Sequence, residues 1–126
     1  MKGNCQDVAT QLIYIYTNAN VLGQVWNGID DERRLQSIDL LRSRTNELSE
    51  QGQLRPADAD KFKLTLDKAE TLNSIQQQPG SIYSARKGVI PDPIELRKLK
   101  NSLTDNALEM VINSIADCEC TVPVKR

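Results

Sequence analysis

The sequence predicts an all-α protein, an antiparallel (up-down-up-down) four-helix bundle with a long connection between its third and fourth helices. Three observations support this prediction. Apolar residues recur at spacings of three and four in four segments, which is the period of a helix with one buried face. Proline, glycine and capping residues separate those segments. No segment combines the alternating pattern of a strand with the turn chemistry of a strand pair.

The first predicted helix begins after Asn4, a suitable N-cap residue, and ends near Gly28. Its apolar positions form one continuous stripe: Cys5, Val8, Leu12, Ile15, Ala19, Leu22 and Trp26. Asp7 is its only charged residue, although a helix with a wet outer face normally carries several charges there. We therefore expect this helix to be covered on more than one side, by its own bundle or by a partner.

Three carboxylates, Asp30-Asp31-Glu32, mark the start of the second helix, because acidic residues are favourable at a helix N-terminus. Gly52 ends this helix. Its predicted core positions are Leu35, Ile38, Leu41, Thr45 and Leu48. Its charged residues are predicted to face solvent, among them Arg33, Arg34, Arg42, Arg44 and Glu47.

Pro56 fits the first position of a third helix, which ends before Pro79-Gly80. Its predicted core positions are Ala59, Phe62, Leu66, Ala69, Leu72 and Ile75. The fourth helix starts at Asp92-Pro93-Ile94-Glu95, where an N-cap, a proline at the first position and a glutamate at the third form a capping box. Its predicted core positions are Leu96, Leu99, Leu103, Ala107, Met110, Val111 and Ile115.

Composition limits the possible functions of this chain, which we treat as one domain over residues 1–126. The net charge of −1 argues against nucleic acid as a partner, because binding phosphates needs a basic excess. The sequence contains no histidine, the commonest general base and a frequent zinc ligand. We therefore expect no catalytic residues, no metal and no cofactor. No stretch is long and apolar enough for a membrane span.

The three cysteines lie near the two ends of the chain. In an antiparallel four-helix bundle, the start of the first helix and the end of the last helix share one end of the molecule. We therefore expect Cys5 to form a disulfide with Cys118 or Cys120, which would indicate an oxidising compartment. The alternative is three free thiols, with Cys5 as an ordinary core residue of a cytosolic protein.

The favoured hypothesis is a non-catalytic bundle that binds another protein or forms a homo-oligomer. We expect an exported or periplasmic accessory or immunity-type protein. Because Met1-Lys2-Gly3-Asn4 contains no signal-peptide core, an exported protein would be represented here by its processed form. The alternatives are a cytoplasmic helical adaptor or chaperone, and a small cofactor-free all-α enzyme with a charged cavity.

The candidate contact surface combines the uncharged side of the first helix with the 78–91 connection. This connection is longer than most helix–helix loops and mixes apolar, aromatic and basic residues. Such a loop either packs across the end of a bundle or contacts a partner. The candidate partner-binding residues are Tyr14, Tyr16, Val21, Val25, Tyr83, Arg86 and Lys87.

Overall fold

A computed structural model describes residues 5–77 and 93–118 of the chain. These residues form four α-helices: α1 (Cys5–Val25), α2 (Asp31–Glu50), α3 (Pro56–Gln77) and α4 (Pro93–Asp117). A short 3₁₀ turn, Trp26–Gly28, follows α1. The described residues contain no strand, and the prediction of an all-α four-helix bundle is confirmed.

Each helix packs against two others, so that the four helices form a closed ring in the order α1, α2, α3, α4. The first and last helices run in opposite directions. Near the end of α1, a Cβ atom added at Gly23 would lie 3.2 Å from Cγ of Lys100, close to the start of α4. At the other end, Cys5 lies beside Cys118. A glycine at position 23 thus permits close approach of α1 and α4.

The turn between α2 and α3 is defined by Gly52, as the sequence predicts. Gly52 has a φ of 75°, in the left-handed region that favours glycine. Its N–H donates to the carbonyl of Ser49 at 3.0 Å, and the N–H of Gln53 donates to the carbonyl of Leu48 at 2.9 Å. These two bonds form a Schellman motif, which satisfies helix-end carbonyls and reverses the chain within a few residues.

The core is largely aliphatic, with Trp26 and Phe62 as its largest buried side chains. The predicted core positions Ile38, Leu66 and Leu103 are all 0% exposed. The prediction for Ile115 is wrong, because its side chain is 49% exposed and Ser114 occupies the inward position instead. Ser114 lies four residues after the buried Met110, close to one helical turn, whereas a fifth residue rotates away from the core.

The prediction that Arg34 faces solvent is also wrong. Arg34 is 5% exposed and fills the corner where the chain leaves α1 and enters α2. Its Nη1 donates to the carbonyls of Trp26 and Ile29, both at 2.6 Å. Its Nε donates to Oδ1 of Asn73 on α3 at 2.8 Å, and its Nη2 pairs with the carboxylate of Asp31. We call these five residues the Arg34 cluster.

Backbone geometry explains why this cation is buried. The carbonyls of Trp26 and Ile29 lie where the chain has left α1, so they need hydrogen-bond donors from outside that helix. The Arg34 guanidinium satisfies both carbonyls and also lies 5.3 Å from the centroid of the Trp26 ring. Asn73 completes the cluster by donating to the carbonyl of Asp31 at 3.0 Å. The cluster therefore ties α3 to the α1–α2 corner.

Arg42 is partly exposed but does not point freely into solvent. Its Nη2 donates to Asp67 at 2.9 Å and to Glu70 at 2.8 Å, so it joins α2 to α3. Partial burial lowers the pKa of Arg42, but the hydrogen bonds to Glu70 and Asp67 outweigh burial and raise the pKa above its ordinary value. We expect this surface network to contribute no more than about 1 kcal/mol per pair.

Replacing Arg34 should therefore be far more damaging than replacing its sequence neighbour. We expect Arg34→Ala to lower the free energy of unfolding by about 3 kcal/mol, because it leaves the buried carbonyl of Trp26, the partly buried carbonyl of Ile29 and Oδ1 of Asn73 without their donor. The exposed neighbour provides the control, and Arg33→Ala should change stability by less than about 0.5 kcal/mol. Urea unfolding of both variants measures their losses of stability. Equal losses would contradict a structural role for the buried Arg34 cluster.

Candidate protein-binding surface

Cys5 and Cys118 join the two terminal helices at one end of the bundle. Their Cα atoms are 6.0 Å apart, which suits a disulfide, and the structure bonds their sulfurs. The linked residues are separated by 113 positions in the sequence. Of the two predicted C-terminal partners, Cys118 is the one placed beside Cys5, and Cys120 lies outside the described residues.

An ion pair holds the same end of α4. Nε of Arg55 donates to Oδ2 of Asp117 at 2.6 Å, and Nη2 donates to Oδ1 at 2.8 Å. The hydrogen bonds from Arg55 hold the pKa of Asp117 below its ordinary value of 3.8. Because Asp117 directly precedes Cys118, this pair anchors the bridged end of α4 to the α2–α3 turn.

Three exposed side chains of α1 form one candidate contact surface. Tyr14, Val21 and Val25 are 41%, 44% and 38% exposed. Their spacings of seven and four place them on one face of the helix. Arg44 of α2 lies over the ring of Tyr14, with its guanidinium carbon 5.1 Å from the ring centroid. These three residues, which we call the α1 surface, therefore lie on the side of α1 that adjoins α2.

Two polar side chains beside the α1 surface donate hydrogen bonds to backbone carbonyls of α1 itself. Nδ2 of Asn18 donates to the carbonyl of Tyr14 at 2.7 Å. The hydroxyl of Thr10 donates to the carbonyl of Gln6 at 2.8 Å. With Asp7 as the only charge in α1, docking on this side would remove few strongly hydrated groups from water.

The remaining predicted contact residues do not join this surface in the described structure. Tyr16 is only partly exposed and packs against the core. It shares a helix face with Asn20, which accepts a hydrogen bond from Thr104 of α4 at 3.4 Å. Tyr83, Arg86 and Lys87 lie outside the described residues, so their part in the surface stays a prediction.

Sequence reasoning missed a second exposed apolar set on α4. Leu108, Ile112 and Ile115 are 40%, 57% and 49% exposed. Their spacings of four and three place them on one helix face, which we call the α4 stripe. The spacing was visible in the sequence, but assigning Ile115 to the core concealed the pattern.

The described surface includes one open groove and one small polar depression. An open groove of about 880 Å³ lies between α3 and α4, with Leu64, Leu72 and Leu99 among its apolar walls and Lys68 and Lys98 beside them. A smaller polar depression of about 140 Å³ adjoins Cys118 and the Arg55–Asp117 pair. The buried hydroxyl of Ser114 lines it and has no protein hydrogen-bond partner among the described residues. A space of this size and polarity suits a few water molecules.

Two kinds of feature are absent from the described part of the chain. No group of three or more His, Cys, Asp or Glu residues within 5–77 and 93–118 could hold a metal ion. None of the four described helices is long and apolar enough to span a membrane. Comparison with family models, curated proteins and solved structures finds no match to this chain.

The disulfide should contribute strongly to stability, because it links residues that are separated by 113 positions. We expect the double variant Cys5→Ser, Cys118→Ser to lose about 5 kcal/mol of unfolding free energy, which is the value that the chain-entropy model gives for so long a loop. Cys120→Ser is the matched control and should keep wild-type stability under oxidising conditions. Urea unfolding measures the stability of each variant. Alkylation followed by intact mass, before and after reduction, shows whether the bridge is present. Unchanged stability in the double variant, or loss of the bridge in the Cys120→Ser control, would contradict this pairing.

The Arg55–Asp117 pair should make stability depend on pH in the acid range. Since the pKa of Asp117 is lowered by folding, its contribution is present above the ordinary value of 3.8 and is lost as the pH falls through the lower folded-state value. Asp117→Asn should therefore be less stable than wild type at about pH 6, and the two should converge near about pH 2. Asp105→Asn, an exposed carboxylate on the same helix, serves as the control. If the stabilities of Asp117→Asn and wild type differ by the same amount at every pH, the Arg55–Asp117 pair is not the cause of the difference.

Proposed function

We propose that this protein is a non-catalytic helical bundle that binds another protein in an oxidising compartment, as an accessory or immunity-type protein of the bacterial envelope. The α1 surface carries the proposal, because it places Tyr14, Val21 and Val25 together on a helix with a single charge. Protein interfaces are enriched in tyrosine, and their centres are depleted of charge.

The rigidity of this surface supports a binding role. The opposite face of α1 is locked into the core through Leu12, Ile15 and Leu22, which are at most 2% exposed. Tyr14 is restrained further by the guanidinium of Arg44. A surface that is already ordered loses little conformational entropy on binding, and a tyrosine held in this way suits a central contact.

The edge of the surface suggests the chemistry of the partner. Arg44 is exposed and adds a positive charge directly beside Tyr14. A partner with an apolar contact region bordered by a carboxylate would complement this arrangement. The charge pair would contribute mainly to orientation and association rate, while the apolar side chains would contribute most of the affinity.

Two further observations favour this proposal over the alternatives. The Cys5–Cys118 bridge supports an oxidising compartment, since structural disulfides are rare in the reducing cytosol. Arg34, the buried cation that a catalytic cavity would need, lines neither depression. Each of its three guanidinium nitrogens is engaged within the Arg34 cluster, which supports a structural role.

Site-specific photo-crosslinking in the native cell tests the proposal. A photoreactive residue at Val21 should give one discrete adduct with a different protein, and Val25→Lys should abolish the adduct because it places a charge within the apolar contact. The same probe at Leu64, which is 55% exposed on α3, provides the control and should give no such adduct. The proposal fails if Val21 yields no adduct, or if Leu64 yields the same one.

A further inference from the structure

The Cys5–Cys118 bridge borders the small polar depression at its end of the bundle. Cys118 is one of the residues that line this depression of about 140 Å³, whereas Cys5 is not. Both cysteines are only partly buried. We infer that a small thiol attacks the bridge at Sγ of Cys118 while the protein stays folded, with Cys5 as the leaving group. This reaction does not depend on the function proposed for the α1 surface.

The walls of the depression favour entry of a small polar reagent. Ser114 is 3% exposed, and its hydroxyl lines the depression without a hydrogen-bond partner among the described residues. At about 30 Å³ for each water, the space holds about four or five water molecules, the size of the thiol end of a small molecule. A thiolate that enters therefore replaces water, meets a free hydroxyl donor, and does not have to penetrate the dry core.

The charges at the depression indicate the class of thiol. Arg55 and Asp117 both line it, and two N–H groups of the guanidinium are hydrogen-bonded to the carboxylate. The other three N–H groups of Arg55 are not used by this pair, and arginine stabilises a nearby thiolate. The carboxylate of Asp58 also acts on Arg55, so acidic groups outnumber the guanidinium here. A small thiol without an acidic substituent is therefore the best fit.

The two ends of the bridge differ as leaving groups. Cys5 is the first residue of α1, whereas Cys118 directly follows the last residue of α4. The positive end of a helix dipole stabilises a thiolate, and the negative end destabilises one. Each cysteine has one carboxylate close by in its own helix, Asp7 or Asp117, so the dipoles decide the difference. Because the more stable thiolate leaves faster, attack at Cys118 with release of Cys5 is favoured.

The proposed step is a thiol–disulfide exchange. The sulfur of the attacking thiolate bonds to Sγ of Cys118, the bond from Cys118 to Cys5 breaks, and the electron pair leaves on Cys5. The released thiolate takes up the proton that the reagent lost. A second thiol then attacks the reagent's sulfur in the mixed disulfide, which frees Cys118 and joins the two reagent molecules as a disulfide. Two thiols are thereby oxidised, the bridge gains two electrons, and the covalent link between α1 and α4 opens.

Mapping of the first adduct tests the site of attack. The oxidised Cys120→Ser chain is treated with 2-mercaptoethanol at about pH 8, where part of the thiol is ionised, and is quenched with acid at early times. Peptide mapping in acid should locate the adduct on Cys118 and a free thiol on Cys5. At equal thiolate concentration, 3-mercaptopropionate should react more slowly, and a faster reaction would overturn the assignment to a neutral thiol. An adduct mainly on Cys5, or an intact bridge in the absence of urea, overturns the inference.

Reduction kinetics separate attack on the folded protein from attack after unfolding. The rate should not change with urea below the unfolding transition, whereas a route through global unfolding follows the unfolding free energy. Ser114→Val should slow reduction about tenfold, because it fills the depression and removes its hydroxyl. Ser102→Val, at a partly buried position of α4 beside the other groove, is the control and should react as wild type. A rate that rises with urea as the unfolded fraction does, or equal effects of the two valines, overturns the inference.

Discussion

The packing of the first helix against the last is the constraint on which the other features of this protein depend. Contact of α1 with α4 closes the ring of four helices. It brings Cys5 and Cys118, separated by 113 positions, to a Cα distance of 6.0 Å. Both of these helices carry exposed apolar groups: Tyr14, Val21 and Val25 lie on the side of α1 that adjoins α2, and Leu108, Ile112 and Ile115 lie on α4.

The two ends of the bundle are held by different chemistry. At one end a covalent bridge and the Arg55–Asp117 pair connect the end of α4 to α1 and to the α2–α3 turn. At the other end no bridge is found among the described residues, and the buried Arg34 cluster connects α2 and α3 to the end of α1. Its hydrogen bonds compensate the cost of removing the guanidinium from water, which makes the cluster sensitive to loss of any one member.

The distribution of charge separates structural faces from candidate contact faces. Arg42 reaches across from α2 to Asp67 and Glu70 on α3, and Lys61 reaches from α3 to Glu109 on α4. These charged groups, between α2 and α3 and between α3 and α4, therefore have partners within the chain. The outer side of α1 and the second half of α4 instead carry exposed apolar groups such as Tyr14 and Ile112. An interaction with another molecule is the simplest physical reason to keep such groups on a surface.

The sequence by itself determined the four helices, their caps, most core positions and the meeting of the terminal cysteines, because these follow from local periodicity and from the antiparallel order of the helices. It also identified Tyr14, Val21 and Val25 as exposed candidates, since the missing charges of α1 are visible in the sequence. Only the tertiary structure decided that Tyr16 turns towards α4 and the core while Tyr14 meets Arg44. The burial of Arg34 could not be predicted from the local sequence pattern either. The carbonyls and the amide oxygen that accept hydrogen bonds from its guanidinium come from the α1–α2 corner and from α3.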